Sequence, residues 1–164
     1  MVVRAAEKTV QAQPIDTQLE LHVQLLKLAS LIHRPMREGV AEHVGLGMDE
    51  IKIIMCLGGE GPVAGHDITD LMGIPPMNVS RALASLRARG WVETIVDPED
   101  RRRKPVQLSA AGIEANRSLT PDLAEVARYL LGTLSASERT SLGRIVQKII
   151  DRMEGWPADH PEGR

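Results

Sequence analysis

At 164 residues the chain has the length of one ordinary domain, or of one domain with long helical extensions. Its hydrophobic share of 43% suffices for a core, but with no Phe, one Tyr and two Trp that core must be packed from Leu, Ile, Val, Met and Ala, which suits helices and disfavours a β-sandwich. A formal charge of −2 excludes nucleic-acid binding by bulk charge, so any such binding has to come from a local patch.

The elements follow in order. From Thr17 to about Val44 the residues Leu21, Leu25, Leu28, Ile32 and Met36 recur at the helix period, and Leu26 and Ala29 widen the stripe. Pro35 removes one backbone donor, which predicts a kink near residues 32–34. Gly47 and Asp49 open the next helix, with Ile51, Ile53, Ile54 and Leu57 inward and Gly58-Gly59 as its end. A short helix from Gly65 to Met72 points Ile68 and Leu71 at the core, and after Gly73 the pair Pro75-Pro76 starts a fourth helix. That helix carries Val79, Leu83 and Leu86 on one face and Met77, Asn78, Ser80, Arg81, Ser85 and Arg87 on the other.

Two short β-branched runs, residues 92–96 and 106–108, then flank a turn opened by Asp97-Pro98. Its tip holds four consecutive cations, Arg101, Arg102, Arg103 and Lys104. Between Met77 and Leu108 the net charge is +3, against −5 for the remainder, so the positive charge is concentrated there. Ser109 caps a long helix to about Leu131, which Pro121 is expected to bend or restart. Ser135 and Glu138 form a capping box for a last helix presenting Leu142, Ile145, Val146, Ile149, Ile150 and Met153. The predicted fold class is mainly α with a small β-hairpin wing: a winged helix-turn-helix flanked by N- and C-terminal dimerisation helices.

In a helix-turn-helix the early residues of the second helix meet base edges, here Pro76, Met77, Asn78, Ser80 and Arg81. Arginine pairs bidentately with guanine and asparagine with adenine. Ser85 lies on the same face, and Arg87 and Arg89 are placed for phosphates. The cationic hairpin tip would approach the adjacent minor groove, with Arg101 or Arg103 inserting. Taken alone a run of four cations is a solvated loop; its position after a helix-turn-helix reverses that weighting.

These residues together resemble the multiple-antibiotic-resistance regulator (MarR) family of winged-helix transcription factors. The resemblance is carried by Leu46-Gly-Met-Asp-Glu50 with Ile53, Ile54 and Leu57, by Asn78-Val-Ser-Arg81 with Leu86, by Arg89-Gly-Trp-Val92, by Asp97-Pro-Glu-Asp-Arg-Arg102 and by Leu108-Ser-Ala-Ala-Gly112. It spans roughly residues 19 to 153. It implies a homodimer with intertwined terminal helices that reads pseudo-palindromic double-stranded DNA, represses neighbouring genes and is released by a small anionic or phenolic effector, for example an aromatic acid or its thioester. The apolar stripes at 21–36 and 142–153 suit dimerisation independently. Pro75-Pro76 departs from the family's usual Ser and polar residue, and Gly47 from a common Thr cap. The expected layout is a flexible 1–16, a helical dimerisation region of 17–45 and 109–154, a DNA-binding domain of 46–108 and a flexible 155–164.

In such a family the effector pocket lies between the dimer helices and the winged domain, which makes His22, His33, Arg34, Met36, His43, Met55 and Cys56 candidates. The same residues also suit plain interface or surface roles. Cys56, the single cysteine, excludes an internal disulfide and fits a reducing cytoplasm. A thiol-based redox-sensing repressor using Cys56 is an alternative, but its apolar neighbours favour a buried structural thiol. Histidines at 22, 33, 43, 66 and 160 are too scattered for a metal site, and no cofactor is implied. No apolar run approaches the ~18 residues of a membrane span, and no signal core is evident, so a cytoplasmic place is expected. No nucleophile–base pair or phosphate loop supports an enzyme; a winged-helix protein-interaction module without DNA binding is the other alternative.

Overall fold

A computed structural model describes residues 16–95 and 104–154. Both expected flexible ends, apart from Asp16, and the hairpin tip from Val96 to Arg103 lie outside the described residues. Helix α1 spans Thr17–Met36, capped by Asp16, whose carboxylate accepts from the Gln18 amide at 3.1 Å. It continues into a π turn, Arg37–Ala41, and a last α turn, α2, Glu42–Val44. Then come α3 (Met48–Glu60), α4 (Gly65–Met72), α5 (Pro76–Ala88), β1 (Val92–Thr94), β2 (Val106–Leu108), α6 (Ala110–Leu131) and α7 (Ala136–Glu154).

The core lies among α3, α4, α5, the hairpin and one side of α6. Ile51, Ile53, Ile54 and Leu57 meet Ile68 and Ile74, then Val79, Leu83 and Leu86, with Val92, Val106, Leu119 and Val126 closing it. Each such aliphatic chain removed from water contributes about 1.5–3 kcal/mol, so this cluster holds the winged unit together. Strands β1 and β2 pair antiparallel, with Val92 opposite Leu108 and Thr94 opposite Val106. A third contact completes the sheet, since Val63 and Val106 exchange backbone hydrogen bonds of 3.0 and 2.9 Å.

Four details correct the sequence expectations. The helix is not interrupted at residues 32–34: α1 runs through Pro35, and the departure from α geometry is the π turn that follows. There a Cβ on Gly39 would stand 2.8 Å from Val126 Cγ2, so the small residue lets the chain press on α6 and bury Val40 and Ala41. Gly58-Gly59 does not end α3, which reaches Glu60 and stops at Gly61, where φ is 81°. Gly58 serves instead as a close crossing, because a Cβ there would lie 2.5 Å from Asn116 Nδ2 of α6. Leu71 is 52% exposed; Met72, one full turn after Ile68, takes the inward position. Finally, α6 does not restart at Pro121 but runs unbroken to Leu131.

Other expectations are met. Ser109 caps α6, its hydroxyl accepting from the Gly112 amide at 3.1 Å. The Ser135 amide donates to Glu138 at 2.7 Å and the Glu138 amide to the Ser135 hydroxyl at 3.3 Å, which completes the capping box. The Ser135 amide first, and then the Ser135 hydroxyl, hold the Glu138 carboxyl below its usual range. Among the described residues neither α1 nor α7 buries a side chain, and Leu21, Leu25, Leu28, Ile145, Ile149 and Met153 all stand exposed.

Candidate nucleic-acid interface

Pro75 and Pro76 are ordinary helix-start residues. Pro75 is the N-cap of α5, its carbonyl accepting from Asn78 at 2.8 Å and Val79 at 3.0 Å, and Pro76 occupies a first-turn position where a missing N–H costs nothing. Burying Val79, Ala82, Leu83 and Leu86 turns the opposite face outward. Pro76, Met77, Ser80, Arg81 and Arg87 are exposed there, Met77 by 72%, and Asn78 and Ser85 are half-buried.

This face borders an open concavity of about 350 Å³ against the start of α3, lined in part by Gly47, Asp49, Glu50, Asn78, Arg81 and Ser85. Asn78 Nδ2 donates to Asp49 Oδ2 at 3.1 Å, and Arg81 Nη2 donates to Asn78 Oδ1. Glu50 turns back to accept from the Gly47 amide, the reciprocal half of a capping box, while its other oxygen, Oε1, is buried without a hydrogen bond. In the sequence Asp49 is legible only as a helix opener; its link to Asn78 spans 29 residues and leaves no local trace there.

The two other cations of α5 and its C-cap have structural partners. Arg87 Nη2 reaches Thr94 Oγ1 at 3.3 Å, which ties α5 to β1. Arg89, expected at phosphates, donates to the Gly45 carbonyl at 2.8 Å and stacks over Trp91, its guanidinium carbon 5.3 Å from the ring centroid. It therefore braces the winged unit rather than standing free. Lys104 is exposed at the foot of the wing, whereas Arg101, Arg102 and Arg103 lie outside the described residues.

The joint between wing and α6 explains the Leu-Ser-x-x-Gly segment. Ser109 Oγ donates to the Gly90 carbonyl at 2.6 Å, and the Ser109 amide to the Trp91 carbonyl at 3.0 Å. Gly112 lets α6 approach so closely that a Cβ there would sit 1.9 Å from the same Trp91 oxygen. Residues 45–103 match the sequence model of the MarR family, covering α3, α4, α5 and the first wing strand.

Over these residues, a little more than a third of the chain, the sequence is similar to the MarR family. It is 28% identical over 93 residues to "Transcriptional repressor MprA" of Escherichia coli (strain K12), which is 57% of this chain and 53% of that protein. It is 26% identical over 94 residues to "HTH-type transcriptional repressor NicR" of Pseudomonas putida, 57% of this chain and 60% of that one. The chain thus matches between half and three fifths of the length of these curated relatives. In fold it is similar to Bordetella bronchiseptica BpsR, with a TM-score of 0.69, 19% identity and coverage of 85% of this chain and 99% of that one; that structure's description is of regulation of DNA binding by 6-hydroxynicotinic acid.

The candidate effector residues are dispersed. His22 and His33 stand exposed on α1, roughly 16 Å apart along the axis at 1.5 Å per residue. Arg34 is also exposed and pairs with Glu38 at 3.0 Å, which together with Arg37 holds the Glu38 carboxyl low. Met36 packs partly on the core, Met55 is exposed, and His43 Nδ1 lies 3.4 Å from Asp122 Oδ2 of α6. Among the described residues no group of three His, Cys, Asp or Glu side chains is placed to hold a metal, and no helix is long and apolar enough to cross a membrane.

Cys56 is 6% exposed in the core, and burial first, then the charge of Glu60, pushes its thiol up. The folded state therefore holds the thiol proton more tightly than the unfolded chain does. This contribution to stability is whole below the ordinary thiol pKa and fades as pH climbs to the raised value. Iodoacetamide at pH 7.5 should modify native Cys56 at least ~tenfold more slowly than the urea-unfolded chain, because the thiolate is scarce and shielded. Equal rates would contradict the burial.

Proposed function

We propose that the chain is a homodimeric, cytoplasmic transcriptional repressor that binds a pseudo-palindromic duplex and is released by a small aromatic or anionic ligand. The observation that carries this reading is the outward face of α5, with Asn78 and Arg81 beside a wing whose sequence holds Arg101 to Lys104. Phosphate contacts from the wing would anchor the protein, while α5 reads the major groove. The names of the two curated relatives, both repressors, support the regulatory role, and the aromatic acid in the description of the Bordetella neighbour supports the ligand class. Burial of Cys56 weighs against a thiol sensor.

Selection from a pool of random duplexes tests the reading. It should enrich an inverted repeat with half-site centres about 34 Å, one helical turn, apart; recovery of unrelated sequences would refute it. The unmatched apolar faces of α1 and α7 support the dimer. Placing a charge there, as in Leu28→Glu or Ile149→Glu, should shift sedimentation from twice the 18.0 kDa chain mass toward the single chain and abolish the specific shift on DNA. Dimers of unchanged strength would show that these faces are not the interface.

A further inference from the structure

We propose that Asp49 is a positioning residue that makes Arg81, rather than Asn78, the base reader of α5; this rests on the DNA-binding reading above. Asp49 is in the first turn of α3, where a carboxylate suits the helix dipole, but the carboxylate that folds back onto the helix start is that of Glu50, on the Gly47 amide. Its Oδ2 points across to the other helix and accepts from Asn78 Nδ2 at 3.1 Å, a bond that is part-buried. An ionised carboxylate can only accept, so the amino end of the Asn78 amide must face it. The amide oxygen is thereby turned the other way, where it accepts from Arg81 Nη2.

Three side chains thus form a relay from Asp49 through Asn78 to Arg81, in which each bond fixes the orientation of the next. Asn78 is half-buried, and the relay turns its amide toward α3 and Arg81, so presenting its N–H and oxygen together to adenine competes with bonds already made. Arg81 spends one N–H on Asn78 and retains four donors of its five, enough for the O6/N7 edge of guanine. Held in this way, the guanidinium loses less freedom when it reads a base. The acid has a second effect. A carboxylate beside the reading face repels phosphates, which lowers affinity for every duplex and leaves the oriented Arg81 to restore it only on the right one.

The test uses the full chain and the duplex it selects from a random pool, with the base preference at each position measured for the wild type and for Asp49→Ala, Asn78→Ala, Asp49→Asn, Arg81→Ala and the Asp49→Ala/Arg81→Ala pair. Arg81→Ala should erase a guanine preference in each half-site, and Asp49→Ala should weaken that same preference by about tenfold, the scale of one bidentate contact. Asn78→Ala cuts the relay without touching α3 and should weaken the preference at the same guanine. Asp49→Asn can still accept from Asn78, so it should retain the preference while binding random duplex more tightly. The double variant should discriminate no worse than Arg81→Ala alone. Loss of an adenine preference in Asn78→Ala, wild-type discrimination in Asp49→Ala, or effects that multiply in the double variant would each overturn the relay while leaving DNA binding intact. A wild type that selects no sequence would overturn the DNA-binding reading and the relay with it.

Discussion

Gly112→Ala should destabilise the protein by about 3 kcal/mol or more, at the upper end of what overpacking a core does, and lower its melting temperature by roughly 10 °C. The new Cβ would lie 1.9 Å from the Trp91 carbonyl oxygen and 2.8 Å from its carbon, and both are backbone atoms. They cannot step aside cheaply. The Trp91 carbonyl is held by the Ser109 amide at 3.0 Å, and the Ser109 hydroxyl caps Gly112 itself at 3.1 Å, so moving either partner breaks the joint between wing and α6. Gly59→Ala is the control: Gly59 is helical like Gly112 but exposed, and a Cβ there meets nothing within 4 Å. That substitution should stabilise by about 0.5–1 kcal/mol through helix propensity alone. Thermal melts of the two variants would separate close approach from propensity, and equal melting temperatures would contradict the packing described.

The second large effect concerns how affinity divides between anchoring and reading. On the proposed function, replacing Arg101, Arg102 and Arg103 together by alanine should weaken binding to all duplexes alike. It should also flatten the slope of log affinity against log salt by about 0.9 for each phosphate the wing ceases to neutralise, because fewer counterions are released. Arg81→Ala should leave random-duplex affinity nearly unchanged and cost about 1–3 kcal/mol on the selected site. Fluorescence anisotropy titrations over a salt series would distinguish the two. A wing triple variant that keeps the full salt slope would remove the wing from the account, and an Arg81→Ala protein with intact discrimination would remove α5.

Most of the fold was legible because its signals are local. The inward set of Ile51, Ile53, Ile54 and Leu57, the Pro-Pro start of α5 and the Ser135/Glu138 box each lie within a turn or two of what they specify. Sequence and structure part where a distant residue decides the outcome. Gly58 has the appearance of a helix stop, but it is small because Asn116 crosses there. The π turn in the first helical segment lies where Gly39 presses on Val126, a contact that the sequence around Pro35 does not announce. Leu71 and Met72 are both apolar, and only the orientation of α4 against Ile68 and its neighbours selects between them.

The candidate site was legible in the same partial way. Its residue types and their common helix face follow from the period of α5, but their mutual bonds do not. Asp49 lies a whole helix-turn-helix away from Asn78, and Arg89 is diverted to the Gly45 carbonyl, 44 residues back in the chain. Neither link has a sequence spacing that would announce it. Val63 likewise joins the wing only because the α3–α4 connection passes beside β2. The structure thus divides the cations of this region, giving Arg89 to the scaffold and leaving Arg81 on the outward face.

The central claim is that a chain of net charge −2 binds DNA through a local cationic surface. Its most direct test is a titration of the intact wild-type protein against the DNA flanking its own gene, at several salt concentrations and beside a scrambled duplex of equal length. The account predicts a specific shift whose affinity falls steeply with salt, with a log–log slope of several units. No preference over the scrambled duplex, or an affinity indifferent to salt, would contradict it.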